Sequence, residues 1–130
     1  MAHRCKHFII HCMDFRLGKP IFNYLEKEGI LGDCDITSIA GGVKDKSFLM
    51  SQLGLSINLH GTEEAILCNH TDCGAYSETG KFSSFEEECN FHTEELKKAK
   101  ELVLAEYPSL RVKLLLGKIL PSKEVTFEEV

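Results

Sequence analysis

Short apolar runs alternate with amphipathic segments along this chain, and the alternation restricts the folds that it can adopt. Four runs are predicted as strands: 8–10, 36–40, 65–68 and 112–116. Three segments are predicted as helices: 21–28, 47–59 and 85–107. Nearly every residue in each run is apolar, as in strands that are buried on both faces. Right-handed crossovers join such strands in a parallel sheet. We therefore predict an α/β fold with a small parallel sheet, strand order 2-1-3-4 and helices on both faces.

Length and composition indicate a single globular domain. With 130 residues, 43% of them hydrophobic and 27% charged, the chain can bury a core without disulfides, and we predict one domain over residues 1–130. A formal net charge of -5 gives no general attraction to nucleic acid. We find no long apolar segment, and expect no signal peptide, no membrane span and a cytoplasmic location. In that reducing compartment, the six cysteines are expected to be thiols or metal ligands.

Cysteine and histidine side chains follow two of the predicted strands. Cys12 follows the first strand, and His70 and Cys73 follow the third at a spacing that lets one turn bring both to a metal. In the predicted order these strands are neighbours, and open α/β sheets bind ligands in the crevice between such strands. Two thiolates and an imidazole favour zinc, with a fourth position for water, substrate or Asp14. In an extended chain, Cys12, Asp14 and Arg16 would point to one side.

Other cysteine and histidine residues have simpler interpretations. Cys89 and His92 lie on a stripe that is typical of the packing face of an amphipathic helix, so core packing is favoured over metal binding. The stripe comprises Phe85, Cys89, His92, Leu96, Ala99 and Val103. A group near the N-terminus could bind metal adventitiously but lacks a supporting element, and its members are interpreted as edge residues. It comprises His3, Cys5 and His7.

Three motifs resemble, in their order and spacing, those of the β-class carbonic anhydrases. They are Cys12-Met13-Asp14-Phe15-Arg16, Ala40-Gly41-Gly42 and His70-Thr71-Asp72-Cys73-Gly74. The resemblance extends from Phe8 to about Leu120. Ser38 and Ile39 depart from the family, which often has an arginine and an asparagine in these places. The helical arm that wraps the partner subunit in longer members has no counterpart in this sequence, so the pocket is expected to differ.

The resemblance implies a zinc ion held by Cys12, His70 and Cys73, with Asp14 and Arg16 as a dyad beside it. Arg16 would hold the Asp14 carboxylate away from the metal, where it accepts a hydrogen bond from water on the zinc. If Arg16 released it, Asp14 would become the fourth ligand and close the site. The implied activity is reversible hydration of carbon dioxide to bicarbonate, in a homodimer or larger homo-oligomer.

Three alternatives stay open at the level of sequence. The chain is a carbonic anhydrase-like zinc protein without this activity, or it acts on a related small electrophile such as carbon disulfide or carbonyl sulfide. A metal-free redox pair of Cys12 and Cys73 is the third alternative. It would leave Asp14 and Arg16 without a role.

Overall fold

The strands of the protein form one mixed sheet. A computed structural model describes residues 3–130 of the chain. The strands are β1 (His7–His11), β2 (Cys34–Ser38), β3 (Glu64–His70), β4 (Arg111–Ile119) and β5 (Val125–Glu129). They lie in the order β2-β1-β3-β4-β5, with β1 to β4 parallel and β5 antiparallel to β4. The predicted α/β class and the order 2-1-3-4 are confirmed, but the sheet has a fifth strand and is therefore only mostly parallel.

The fifth strand arises from a hairpin that the sequence pattern did not reveal. The turn before β5 is closed by a hydrogen bond from Leu120 N–H to Glu124 O at 2.9 Å, and it contains Lys123 at a φ of 74°. Glycine is the usual residue at such a φ, so the usual turn signal is missing. Phe127 of β5 packs on Tyr24 with ring centroids 5.5 Å apart. Pairing with β4 and the aromatic contact with Tyr24, which is distant in the sequence, thus hold β5 in place.

The helices cover both faces of the sheet, as predicted. They are α1 (Gly18–Lys27), α2 (Lys46–His60) and α3 (Phe85–Glu106). Successive residues of β1 point to opposite faces, so that Phe8 and Ile10 join one apolar cluster and Ile9 joins the other. The first cluster includes Leu49 and Leu53 of α2 and Leu96, Ala99 and Val103 of α3. The second includes Ile21 and Leu25 of α1.

Local capping explains where the helices begin and end. Asp45 accepts a hydrogen bond from Phe48 N–H at the start of α2, and Gly61 ends that helix in the left-handed conformation. Ser84 caps α3 in the same way. Helix α1 begins at Gly18 and not at Ile21, because the first turn of a helix has unpaired N–H groups and tolerates Pro20. Among residues 3–130, no helix combines the length and the apolar character needed to cross a membrane.

Candidate metal centre

Three potential metal ligands meet where β1 and β3 end. Cys12 directly follows β1, His70 is the last residue of β3, and Cys73 lies in the turn after it. The two strands are neighbours, with Ile10 opposite Leu67. The sulfur atoms of Cys12 and Cys73 lie 3.8 Å apart, and the donor atoms of all three residues lie within 4.8 Å of one another. The structure therefore brings together the residues that the sequence pattern selected.

The imidazole of His70 is oriented with one nitrogen left for a ligand. Its Nδ1 lies 2.6 Å from the carbonyl oxygen of Thr71, so Nδ1 carries the proton and donates it. In this tautomer Nε2 has a free lone pair. Nε2 is buried and has no hydrogen-bond partner, although such buried polar atoms are rarely left alone. A neutral imidazole held through its other nitrogen is the usual form of a histidine metal ligand, so His70 fits zinc.

The two thiols also favour metal binding, because one of them ionises easily. The hydrogen bond with Cys73 lowers the pKa of Cys12, and contacts with His70 and the Gly41 N–H act in the same direction against the effect of burial. The same contact raises the pKa of Cys73. The Cys12 and Cys73 side chains are buried, 5% and 2% exposed. Thiolates are the form in which cysteine binds metals, and two of them beside an imidazole suit zinc.

A glycine pair closes one side of this centre. The Gly41 N–H donates to Cys12 Sγ at 3.4 Å. The next residue, Gly42, has a φ of 60°, and a Cβ there would lie 2.4 Å from Cys68 O and 2.6 Å from Asn69 Oδ1. Only glycine allows the loop to approach β3 so closely. The pair therefore serves as a tight turn that places a backbone donor on the sulfur.

Asp14 and Arg16 form a bidentate ion pair, but not in the way that the sequence analysis predicted. Strand β1 ends at His11, and residues 15–17 form a turn of 3₁₀ helix with Asp14 at its N-cap. Arg16 Nε donates to Asp14 Oδ1 at 3.0 Å and Nη2 donates to Oδ2 at 2.8 Å. The Arg16 side chain lowers the pKa of Asp14 to about 2. A turn, and not the alternation of an extended strand, brings the two side chains together.

Arg16 also binds the loop that carries the other two potential ligands. Its Nη1 donates to Asp72 Oδ2 at 3.0 Å, and its Nη2 donates to the carbonyl oxygen of Asp72 at 3.0 Å. Asp72 lies between His70 and Cys73 and has a φ of 55°. Asp72 has no predicted role, because a motif does not reveal which side chains an arginine reaches. One guanidinium thus connects the segments that follow β1 and β3.

A buried carboxylate, Glu88, supports the same loop from helix α3. Glu88 is 0% exposed. It accepts hydrogen bonds from Asp72 N–H at 2.7 Å and from the hydroxyl of Thr79 at 3.2 Å. Glu88 is not among the predicted site residues, because it lies in a charged stretch, Glu86, Glu87 and Glu88, that resembles a solvated first turn. Its burial depends on the loop that folds over it.

The predicted packing stripe of α3 is only partly correct. His92, Leu96, Ala99 and Val103 are buried, whereas Cys89 is half-buried and Phe85 is 43% exposed. Burial lowers the pKa of His92 to about 4. Within residues 3–130, neither Cys89 nor His92 belongs to a cluster of three potential metal ligands. The interpretation of His92 as a core residue is confirmed.

We expect Glu88→Ala to reduce the free energy of unfolding by about 1–3 kcal/mol, because the Asp72 N–H loses its buried acceptor. Glu88→Gln keeps an amide oxygen that can accept from that N–H, so its free energy of unfolding should fall by less. The matched control is Glu86→Ala, an exposed glutamate of the same helical turn, which should change stability by less than about 0.5 kcal/mol. Urea denaturation of the three variants measures these differences. Equal losses for Glu88→Ala and Glu86→Ala would show that Glu88 does not support the loop.

The sequence of this chain is similar to a protein family and to individual bacterial proteins. The sequence profile of a family described as "Putative carbonic anhydrase" matches residues 2–118. A carbon disulfide hydrolase of Acidithiobacillus thiooxidans is 37% identical over 70 residues, which are 54% of this chain and 34% of that protein. An uncharacterised protein of Rickettsia bellii is 28% identical and is matched over 80% of this chain and 71% of its own length. The chain therefore spans about a third of the hydrolase and most of the rickettsial protein.

Solved structures share the fold. The carbonic anhydrase of Streptococcus mutans is similar with a TM-score of 0.66 and 23% identity, over 95% of this chain and 82% of that one. The apo form of a carbon disulfide hydrolase is similar with a TM-score of 0.61 and 20% identity, over 95% of this chain and 78% of that one. A structure described with two tetrameric β-carbonic anhydrases from Sordaria macrospora is similar with a TM-score of 0.52 and 10% identity, over 96% of this chain and 81% of that one. Because the profile match spans nearly the whole chain, the protein belongs to the carbonic anhydrase family that the profile describes.

Proposed function

We propose that this protein is a zinc-dependent enzyme that hydrates carbon dioxide reversibly to bicarbonate. The observation that carries the proposal is the buried, unpartnered Nε2 of His70 beside two cysteine sulfurs. This donor set leaves a fourth position, which is the arrangement of catalytic rather than closed structural zinc sites. Membership of the carbonic anhydrase family supports the assignment.

Cys12, His70 and Cys73 would hold the zinc. Bound there, zinc supplies Lewis acidity that lowers the pKa of water and so provides a nucleophile near neutral pH. In the neutral ring of His70, the hydrogen bond from Nδ1–H to Thr71 O selects the tautomer whose Nε2 can bind the metal. The Gly41 N–H stabilises the thiolate of Cys12.

Asp14 would orient the reacting water, and Arg16 would position Asp14. With a pKa of about 2, the Asp14 carboxylate is ionised at neutral pH and accepts hydrogen bonds, but it is too weak a base to keep a proton. Arg16 is itself fixed by Asp72, so that the carboxylate cannot rotate freely. Addition of water to carbon dioxide forms one C–O bond while the π electron pair of one C=O bond moves to its oxygen, and one O–H bond of the water breaks to release a proton to the solvent or buffer.

Loss of a single ligand should remove the metal. We expect Cys12→Ser and His70→Ala to lower the zinc content by about one equivalent per chain, together with the hydration rate. Cys89→Ala is the matched control, since this half-buried thiol lies outside the cluster, and it should keep both zinc and activity. Elemental analysis and stopped-flow hydration assays measure the two quantities. Parental zinc content in both ligand variants would refute the site.

The dyad can be tested independently of the metal. Arg16→Ala frees Asp14 to compete for the fourth position of zinc, and Asp14→Asn replaces an acceptor with an amide that can donate in the wrong direction. We expect both variants to keep zinc and to lose at least about tenfold in hydration rate. Arg111→Ala removes a mostly exposed arginine at the opposite edge of the sheet and should keep the parental rate. Full activity in both dyad variants would leave Asp14 and Arg16 as a structural ion pair.

Hydrolysis of carbon disulfide or carbonyl sulfide is the second candidate function. The observation in its favour is the 37% identity to a carbon disulfide hydrolase, although over only 54% of this chain. The same nucleophile and the same carboxylate would serve, because carbon disulfide and carbonyl sulfide are also small linear molecules with an electrophilic central carbon. Measuring sulfide release beside carbon dioxide hydration, with one enzyme preparation, distinguishes the two activities. The preferred substrate is the one with the higher kcat/KM.

We also propose that the protein is a homodimer or larger homo-oligomer. Large apolar side chains are exposed on both sides of Asp14 in the chain, where Met13 is 65% and Phe15 is 91% exposed, and Phe22 of α1 is 52% exposed. Exposed large apolar side chains support a proposed protein interface. The structurally similar Sordaria macrospora proteins are described as tetrameric. Light scattering at micromolar concentration should give at least twice the chain mass, and a monomer would contradict the proposal.

A further inference from the structure

A second cluster of potential metal ligands lies at the opposite edge of the sheet. Cys5 precedes β1, Asp35 belongs to β2, and His60 is the last residue of α2. One donor atom from each lies within 4.8 Å of the other two. Cys5 and Cys12 flank strand β1, whose five residues span roughly 16 Å at about 3.3 Å per residue, so the cluster is separate from the proposed catalytic centre.

Backbone and side-chain contacts hold the cluster in place. The Cys5 N–H donates to His60 O at 3.1 Å, which joins the N-terminal segment to the end of α2. Asp35 Oδ2 accepts from His60 Nδ1 at 2.7 Å and from the Ser56 hydroxyl at 2.7 Å. In the sequence, Cys5 is grouped with His3 and His7, and no supporting element is predicted for them. The supporting elements are β2 and α2, which are remote in sequence, whereas His7 pairs with Glu64 instead.

We propose that Cys5, Asp35 and His60 form a second metal site, for a divalent transition ion such as zinc or cobalt. Sulfur, imidazole nitrogen and carboxylate oxygen are the three ligand types of protein zinc sites. The ring of His3 lies 5.0 Å from that of His60, centroid to centroid, so a second imidazole borders the cluster. The bound ion would replace the hydrogen bond between His60 and Asp35: the neutral imidazole would bind through Nδ1 with its proton on Nε2, and the proton of the Cys5 thiol would pass to solvent.

The environment suits an ion that enters and leaves without unfolding the chain. The side chains of His60 and Asp35 are 26% and 32% exposed. Burial acts to raise the pKa of Asp35, but hydrogen bonds from Ser56 and His60 outweigh it and the net shift is downward, so the carboxylate is ionised. Burial raises the pKa of the Cys5 thiol, whose proton the metal must displace. Because its ligands are more exposed than Cys12, His70 and Cys73, we expect the second site to bind its ion more weakly, and that ion would cross-link the N-terminal segment, β2 and α2.

Cobalt titration tests the second site. Protein loaded with about one equivalent of zinc, which fills the tighter centre, is titrated with cobalt chloride and followed by its thiolate-to-cobalt charge-transfer and d–d absorption. We expect binding of about one further equivalent, with the spectrum of a tetrahedral site that contains a thiolate. Cys5→Ser should abolish the charge-transfer band, and Asp35→Asn and His60→Gln, which retain hydrogen-bonding groups, should abolish or weaken binding.

Controls separate this site from the proposed catalytic centre. Cys5→Ser and His60→Gln should keep the zinc of the tighter centre and the parental hydration rate. Cys89→Ser alters another thiol and should leave the cobalt spectrum unchanged. In Cys12→Ser, which disables the proposed centre, the Cys5-dependent cobalt band should persist even if the protein proves inactive on carbon dioxide. Absence of a further cobalt equivalent in the parent, or an undiminished charge-transfer band in Cys5→Ser, would overturn the proposal.

Discussion

Parallel pairing of β1 with β3 is the constraint on which the proposed centre depends. Cys12 and Cys73 are 61 positions apart in the chain, yet their sulfur atoms lie 3.8 Å apart because the carboxyl ends of parallel neighbours meet at one edge. A register change would separate Cys12 from the end of β3. The apolar side chains of both strands oppose such a change, since a one-residue slip would turn core residues toward the wrong face.

Polar contacts then fix the arrangement of the loops that follow β1 and β3. Arg16 binds Asp14 and Asp72, and Glu88 accepts the Asp72 N–H from the side of α3. Glu88 is fully buried, and a buried polar atom left without a partner costs more free energy than the hydrogen bond contributes. Other conformations of the loop that would leave Glu88 without its partners are therefore disfavoured. This rigidity is what a site needs in order to present His70 in one tautomer.

Much of the fold could be predicted from local patterns, and the failures share a physical cause. Apolar runs and helical spacing located four strands and three helices, because burial periodicity is a local property. Strand β5 was missed because its hairpin lacks glycine at the positive φ of Lys123, and because its stability comes from β4 and Tyr24. The geometry of Asp14 and Arg16 was expected from an extended strand but comes from a 3₁₀ turn. In each case a non-local contact or a turn decided the outcome.

The sequence by itself determined the α/β class and the choice of Cys12, His70 and Cys73 as potential ligands, since spacing along strands and turns is sufficient for both, and its motifs carried the resemblance to the β-class carbonic anhydrases. Only the tertiary structure decided which partners these groups have. The Arg16 contact with Asp72, the burial of Glu88 and the cluster at Cys5 each join elements distant in the chain. No local spacing in the sequence marks these partners. Proximity created by the packing of helices on the sheet is the physical reason that they emerge only in the folded molecule.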